Sequence, residues 1–504
     1  MLKADAPRLI ALPSAFTVLA LSACAVGPNF KAPAAPTTDG YTAEPLPAQT
    51  ASTQTPGGEA QHFAIGRDLP GEWWTLFGSA QVSELVARAM ASYPDIATQQ
   101  AALRQARQNL LAEAGNFFPQ ISGQGYASRQ AYNYGSILPG FPTAYFNNFS
   151  AAVNVNYTFD VWGKERRTVE GLHAQEIEQN FELEGSYLSL TGNVVSTAIQ
   201  LASTREQIAA TREIIDLEDK QLGVAKRRFE LGVRTQADVL QQQSALDAER
   251  ATLPPLQQQL AAAEHQLALL TGRTPKEAPP PELTLADLKL PQELPVSLPS
   301  SLVEQRPDIR AQEAALKSAN AQIGVATANM LPQLTLTGSF SDAASKTAAL
   351  ISPSSNAWNL TGGITQPLFE GGTLRARRRA AIAAYDQALA HYRLVVLQAF
   401  QNVADSLTQV NYDAQTLETQ RDALESARAS LDLIQKQYDI GSVDYVALLN
   451  AQQTYQTARL GMVRAVAARY TDTVALFQAL GGGWWNRKDA GTMQGLNHVS
   501  SGSP

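Results

Sequence analysis

"YPDIATQQAALRQARQNLLAEAGNFFPQ", residues 93–120, returns without a gap as "RPDIRAQEAALKSANAQIGVATANMLPQ", residues 306–333. Pro94 answers Pro307, Leu103 answers Leu316 and Pro119 answers Pro332. A second block, "RRFELGVRTQADVLQQQ" at 227–243, answers "KQYDIGSVDYVALLNAQQ" at 436–453, with Gly232 opposite Gly441 and Gly272 opposite Gly481. The offset shortens between the two blocks, so a loop around 121–162 is longer in the first copy. Internal repetition governs how every element is read, because each copy is one structural unit. The chain divides into an extended N-terminal segment (24–81), a first repeat (82–273), a proline-rich connector (274–301), a second repeat (302–482) and a tail expected to be flexible (483–504).

Each repeat reads helix, strand, strand, long helix, turn, helix. The first helix is expected from near Val82 or Pro307 to just before Pro119 or Pro332, with proline at both boundaries. Alternation follows: Val153, Val155, Tyr157 and Phe159 interleave with Asn154, Asn156 and Thr158, and Leu334, Leu336 and Phe340 interleave with Thr335, Thr337 and Ser339. Period two with one apolar and one polar face marks strands. Their partners are "ISGQGYASR" (121–129) and "WNLTGGITQPL" (358–368), giving two hairpins and four strands. Ile208, Ile215, Leu222 and Phe229 then recur every seven residues, matched by Leu417, Leu424, Leu431 and Tyr438. A seven-residue stripe implies coiled-coil packing. A helix from Lys164 to Phe229 would run about 100 Å at 1.5 Å per residue. Pro254 and Pro255 inside the next helix predict a kink or break.

Cys24 is the only cysteine in the 504 residues, which excludes an internal disulfide framework. Lys3 and Arg8, the apolar run Ile10–Ala20 and the small residues Ser22 and Ala23 before it have the form of a cleaved secretory signal over 1–23. Leu21-Ser22-Ala23-Cys24 resembles a bacterial lipobox, which would leave Cys24 as an acylated first residue; a buried residue and a reactive thiol are the other readings. The net charge of −7 with mixed signs argues against a nucleic-acid surface, and Arg375, Arg377, Arg378 and Arg379 read as a solvated helix face. His62, His173, His265, His391 and His498 are scattered without ligand spacing, and no phosphate loop or nucleophile elbow is present. No catalytic residue, metal site or cofactor is expected beyond the lipid on Cys24.

No later run is long and apolar enough for a spanning helix, so any spanning falls to the strands. Four strands with outward-apolar alternation cannot close a barrel, and an open edge cannot face lipid. Copies must pool their strands. Three give twelve strands and a wide lumen; two give eight, which enclose little beyond their own side chains. Phe117, Phe118, Trp162, Trp358 and Phe369 lie near strand ends, where interfacial girdles and ordinary packing are both open readings.

The duplicated helix–hairpin–helix pattern, the lipobox followed by "VGPNFKAP", "WWTLFGSAQVSELVARAMASYPDI", "PLFEGG" and the closing "ALGGGW" resemble the outer membrane efflux protein family, TolC-like channels, in its NodT-type lipoprotein branch. The resemblance implies a mainly α fold with membrane β: a homotrimeric twelve-stranded outer-membrane barrel, four strands per chain, continued by a long periplasmic α-helical barrel. It implies a passive export duct for small molecules, working with a periplasmic adaptor and an inner-membrane pump, and anchored in outer-membrane lipid through Cys24. A secretion duct for polypeptides shares the fold, and a periplasmic coiled-coil lipoprotein scaffold is the alternative of another class. The resemblance also carries a periplasmic gate onto Phe229, Gly232 and Asp238 of the first copy and Tyr438, Gly441, Asp444, Val446 and Asn450 of the second. In it Asp238 ties to a neighbouring helix, with Tyr438 as hydrogen-bond partner, and Val446 forms an apolar constriction. Asn450 and Ala447 stand where relatives often carry acidic residues, so a cation-binding ring is not implied. Gly232 and Gly441 suit the positive φ of a helical-hairpin turn. Asp238 and Asp444 read equally as an acidic entrance and as solvated turn positions.

Overall fold

The computed structural model describes residues 25–487 except 134–139, 141, 280, 351, 353 and 354. Cys24, the signal region, His498 and the tail beyond 487 lie outside the described residues. In chain order the elements are β1 (His62–Ile65), α1 (Ala80–Ser92), α2 (Pro94–Ala114), β2 (Gln120–Tyr132), β3 (Ala144–Phe159), α3 (Lys164–Glu230), α4 (Gln236–Leu270), β4 (Glu293–Val296), α5 (Pro299–Gln305), α6 (Pro307–Ala328), β5 (Gln333–Ala344), β6 (Asn356–Thr365), α7 (Thr373–Asp439) and α8 (Tyr445–Ala479). The copies match: α3 and α7 are both 67 residues, α4 and α8 both 35. None of the described helices is long and apolar enough to cross a membrane. The chain forms two compact units.

The first unit takes residues 25–32, 103–179 and 312–392. Its sheet has the order β2-β3-β5-β6, antiparallel throughout. β3–β5 joins the two copies, so the two hairpins share one sheet. The segment after Cys24 is clamped here. Val26 N–H donates to Trp162 O (2.9 Å), Arg167 donates to Asn29 Oδ1 (2.8 Å) and Val26 O (3.2 Å), and Asn320 donates to Pro28 O (2.9 Å). Gly27 has φ +101°, and a Cβ there would stand 2.6 Å from Gly324 Cα, so the approach of the two backbones requires glycine.

The second unit takes residues 33–102, 180–311 and 393–487. Trp73 and Phe77, from the motif "WWTLF", are buried against Phe477, with ring centroids 5.7 and 6.4 Å apart in edge-on geometry. Arg469, 1% exposed, donates to Gly57 O (2.8 Å), Glu59 O (3.0 Å), Thr50 Oγ1 (3.2 Å) and Gln61 Oε1 (3.0 Å). One side chain of α8 thus pins four residues of the N-terminal segment. That segment is extended only in part: β1 pairs in parallel with β4 from the connector, and 73–77 form a 3-10 turn.

Several expectations need correction. The first helix of the first copy is broken at Tyr93 (φ −70°, ψ 121°), and Arg306 (φ −81°, ψ 124°) separates α5 from α6 likewise. The residue before a proline is pushed out of the α region, so Pro94 and Pro307 each begin a new helix. Pro254 and Pro255 do not break α4, which continues through both. The seam of α3 runs through Thr211, Ile214, Glu218, Leu222 and Ala225, leaving Phe229 44% exposed. The matching position of the second copy, Tyr438, stays buried. The tail expected from 483 is packed through 487: Trp484 Nε1 donates to Gln305 O (2.7 Å), and Arg487 pairs with the buried Glu184 at 2.7 Å.

Candidate functional site: the strand faces and the hairpin turns

The pairing register sorts the sheet's side chains into two faces. On one, Ile121 lies opposite Val155, Val153 opposite Phe340, Tyr157 opposite Leu336, Phe159 opposite Leu334, Leu334 opposite Ile364 and Phe340 opposite Trp358. On the other, Ser122 lies opposite Asn154, Asn156 opposite Thr337, Thr158 opposite Thr335 and Ser339 opposite Asn359. A continuous apolar face therefore crosses all four strands. It is open to its surroundings, with Trp358 76% and Ile364 74% exposed. From Leu334 to Phe340 it extends roughly 20 Å at about 3.3 Å per residue, near the roughly 25 Å band of a membrane barrel. Phe118 and Phe369 are exposed next to it, whereas Trp162 is half-buried and donates to Pro332 O at 2.7 Å. Among the described residues β2 and β6 each have one strand neighbour, so both edges of the sheet are open.

The two hairpin turns are built alike. Gly232 (φ +72°) and Gly441 (φ +80°) take the left-handed conformation after α3 and α7. Val233 N–H returns to Arg228 O (2.9 Å) and Ser442 N–H to Gln437 O (2.8 Å), closing the last helical turn. The helix after each turn is capped differently in each copy. In the first, Thr235 and Asp238 form a reciprocal capping box, Asp238 Oδ2 accepting Thr235 N–H at 3.0 Å and Thr235 Oγ1 accepting Asp238 N–H at 3.3 Å. In the second, Asp444 Oδ1 accepts Ala447 N–H at 2.9 Å.

The Asp238–Tyr438 hydrogen bond expected from the sequence is not formed within the chain, because the Asp238 carboxylate is taken up by its own helix cap. Tyr438 is instead buried among Leu431, Tyr445, Leu448 and Ala451, and its ring faces cations: Arg228 Cζ lies 5.4 Å and Arg234 Cζ 4.7 Å from the ring centroid. Arg228 also pairs with Asp439 at 3.3 Å. The two hairpins are thus joined by arginines of the first copy gripping an aromatic ring of the second. Neither arginine stood out in the sequence, where flanking charges at a turn read as solvated.

Val446 is half-exposed, and Asn450, four residues on, is exposed on the same face of α8; Tyr445, Leu448 and Gln452 occupy the opposite, buried face. Phe229 and Asp444 are exposed as well. Two hydrophobic neighbours of the turns, Leu231 and Ile440, are among the most exposed apolar side chains of the chain.

Residues 85–273 and 298–482 match the family model described as outer membrane efflux protein. The pyoverdine export outer membrane protein OpmQ of Pseudomonas aeruginosa is 30% identical over 435 residues, covering 84% of this chain and 90% of that protein. The cation efflux system protein CusC of Escherichia coli is 25% identical over 466 residues, covering 92% of this chain and 97% of that protein. The solved structure of the outer-membrane channel OprN superposes with a TM-score of 0.80 at 26% identity, covering 92% of this chain and 100% of that one. With both repeats matched by one family model and full-length relatives on either side, the chain belongs to the outer membrane efflux protein family.

Proposed function

We propose that three copies of the chain form an outer-membrane duct that passively conducts small molecules outward, fed by a periplasmic adaptor and an inner-membrane pump. The observation that carries this reading is the four-stranded sheet with one continuous apolar face and two open edges. Its N–H and C=O groups at β2 and β6 need partners in lipid, and identical neighbours supply them. Twelve pooled strands leave a lumen lined by Ser, Thr and Asn of the opposite face, a surface that wets without binding strongly. Relatives named for pyoverdine export and cation efflux support small solutes as the cargo class.

Acylation of Cys24 is supported by the lipobox form of Leu21-Ser22-Ala23-Cys24, and the segment after it is packed. Ala25 lies so close to Gly163 that a Cβ on that glycine would stand 2.6 Å from Ala25 Cα, only four residues past the end of β3. At the hairpins, Phe229, Gly232, Asp238, Tyr438, Gly441, Asp444, Val446 and Asn450 form the proposed gate, with Val446 as the apolar constriction. The native mass of detergent-extracted protein tests the assembly, followed by conductance in a planar bilayer. A trimer that conducts is expected; a monomer that stays in solution without detergent would leave the open edges unexplained and promote the scaffold reading.

A further inference from the structure

Behind the hairpin turns, four helices bury a polar cluster that the gate does not use. Glu218 of α3 is 4% exposed and Glu249 of α4 is 5% exposed. Around them lie Gln242 of α4, which donates to Glu218 O at 3.3 Å, and Gln452 and Gln456 of α8. Gln456 donates to Glu249 Oε2, and Gln452 donates to Gln221, which in turn donates to Gln435 of α7 at 2.9 Å. These bonds tie α3 to α4 and to α7, and α8 to both α3 and α4, the helices that carry both hairpins.

The cluster leaves buried polar atoms unmet. Glu218 Oε2, Gln452 Oε1 and Tyr445 Oη are buried without a hydrogen-bond partner. Two of these are acceptors only, and a buried acceptor left unmet is costly. Protonation of Glu218 removes the buried charge from an oxygen that no donor meets. The charges nearby do not favour ionisation. Burial first, and then the negative charge of Glu249, push Glu218 up to about 7, and burial raises Glu249 against the bonds from Gln456 and Thr252. On α4, Arg250 is committed to Asp219 and Asp247 on an exposed face. On α7, Asp439 is paired with Arg228; on α8, Tyr445 has a phenol that burial raises, with Glu218 adding to the effect, and Tyr455 and Arg459 face Glu213, Asp216 and Lys220 of α3 across a shared pocket.

We propose that Glu218 and Glu249 form a proton-operated latch: neutral, they hold the four hairpin-bearing helices together, and ionised, they repel and loosen them. Tyr445, buried with its hydroxyl unpartnered, transmits the change through its edge-on packing against Tyr438, with centroids 6.2 Å apart, the ring that Arg228 and Arg234 grip. The sign follows from the direction of the shifts: a carboxyl favoured neutral in the folded state stabilises below its folded pKa and ceases to do so as pH rises through it. The hairpins should therefore loosen between pH 6 and 8.

The test uses full-length, detergent-extracted protein. Trypsin cleavage at Arg227, Arg228 and Arg234 is measured from pH 5.5 to 8.5 and divided by cleavage at the exposed Arg67, which cancels the protease's own pH dependence. With the carboxyl at its ordinary 4.5 when loosened and about 7 when held, this ratio should climb on the order of thirtyfold from pH 5.5 to 8.5 in the wild type. Glu218→Gln, which mimics the neutral acid, should hold it flat, and Glu249→Gln should reduce the climb. A flat wild-type ratio, or a Glu218→Gln variant that climbs like the wild type, overturns the latch; the first needs no variant to fold. A bilayer arm, which rests on the channel reading, should show opening following the same pH course. A climbing cleavage ratio without any conductance would support the latch and count against the channel reading alone.

Discussion

Tyr438 offers the sharpest test of how the hairpins are held, because two chemistries predict different outcomes for the same side chain. If its hydroxyl bonded Asp238, Tyr438→Phe and Tyr438→Ala would both free the gate. In the structure the ring makes the contacts: it is buried in the Leu431, Tyr445, Leu448 cluster and lies 4.7 and 5.4 Å from two guanidiniums. Truncating a buried aromatic costs about 3–5 kcal/mol, and each cation–π contact contributes about 0.5–1 kcal/mol at partly exposed sites. Tyr438→Ala should therefore shift the closed-to-open balance by about 4 kcal/mol, roughly a thousandfold at 1.4 kcal/mol per factor of ten. Tyr438→Phe keeps ring, packing and quadrupole, and should stay within about 0.5 kcal/mol of wild type. Arg234→Ala should fall between, at about two- to fivefold. Open probability in a planar bilayer separates the three. If the Phe variant opened as readily as the Ala variant, the ring would be irrelevant and the hydroxyl would be restored as the tie.

Three other perturbations address separate parts of the chain. Arg469→Ala strips a buried cation from four acceptors and should loosen the 50–61 segment by about 3–5 kcal/mol, read as faster proteolysis there, with Arg469→Lys intermediate because it keeps charge but loses the fork. Asp413 is pushed up to about 7 by burial and by its contact with Asp472, so it too stabilises when neutral; Asp413→Asn should flatten the fall in Tm between pH 6 and 8, and an unchanged slope would remove Asp413 from the pH response. Leu360→Arg on the apolar face should cost about 2–4 kcal/mol and reduce the folded, membrane-inserted fraction, while Asn359→Arg on the polar face should not, and equal loss from both would mean the faces are misassigned.

The parts legible in the sequence are those in which a local rule acts over many residues. The alternation in 153–159 and 334–340 fixed which residues share a face, and the register then aligned those faces across β3 and β5. Gly232 and Gly441 announced both turns because few other residues accept positive φ. What escaped depends on distant pairing. β1 and β4 are four residues each and come from opposite sides of the first repeat, so neither carries a periodic signal of its own. Arg228 and Arg234 gain meaning only when α7 brings Tyr438 alongside. Phe229 stands one heptad past the buried Leu222 yet is exposed at the end of α3, whereas its counterpart Tyr438 is buried, a difference that the spacing does not carry. The same count contained an unused clue: Thr211, Glu218 and Ala225 are also spaced by seven, and a carboxylate at a seam position marks a buried polar site.

The divergence of the two copies at the turns has a physical logic. The contact between the hairpins draws different groups from each copy. Here the first copy supplies guanidiniums and the second an aromatic ring and Asp439, so the contact between them is complementary in charge as well as in shape. The caps have diverged in the same direction. The first copy satisfies its helix start with Thr235 and Asp238 together, whereas the second relies on Asp444 alone and leaves Ala447 where the first has Asp238. Duplication set the scaffold, and the differences between the copies make the two hairpins hold each other.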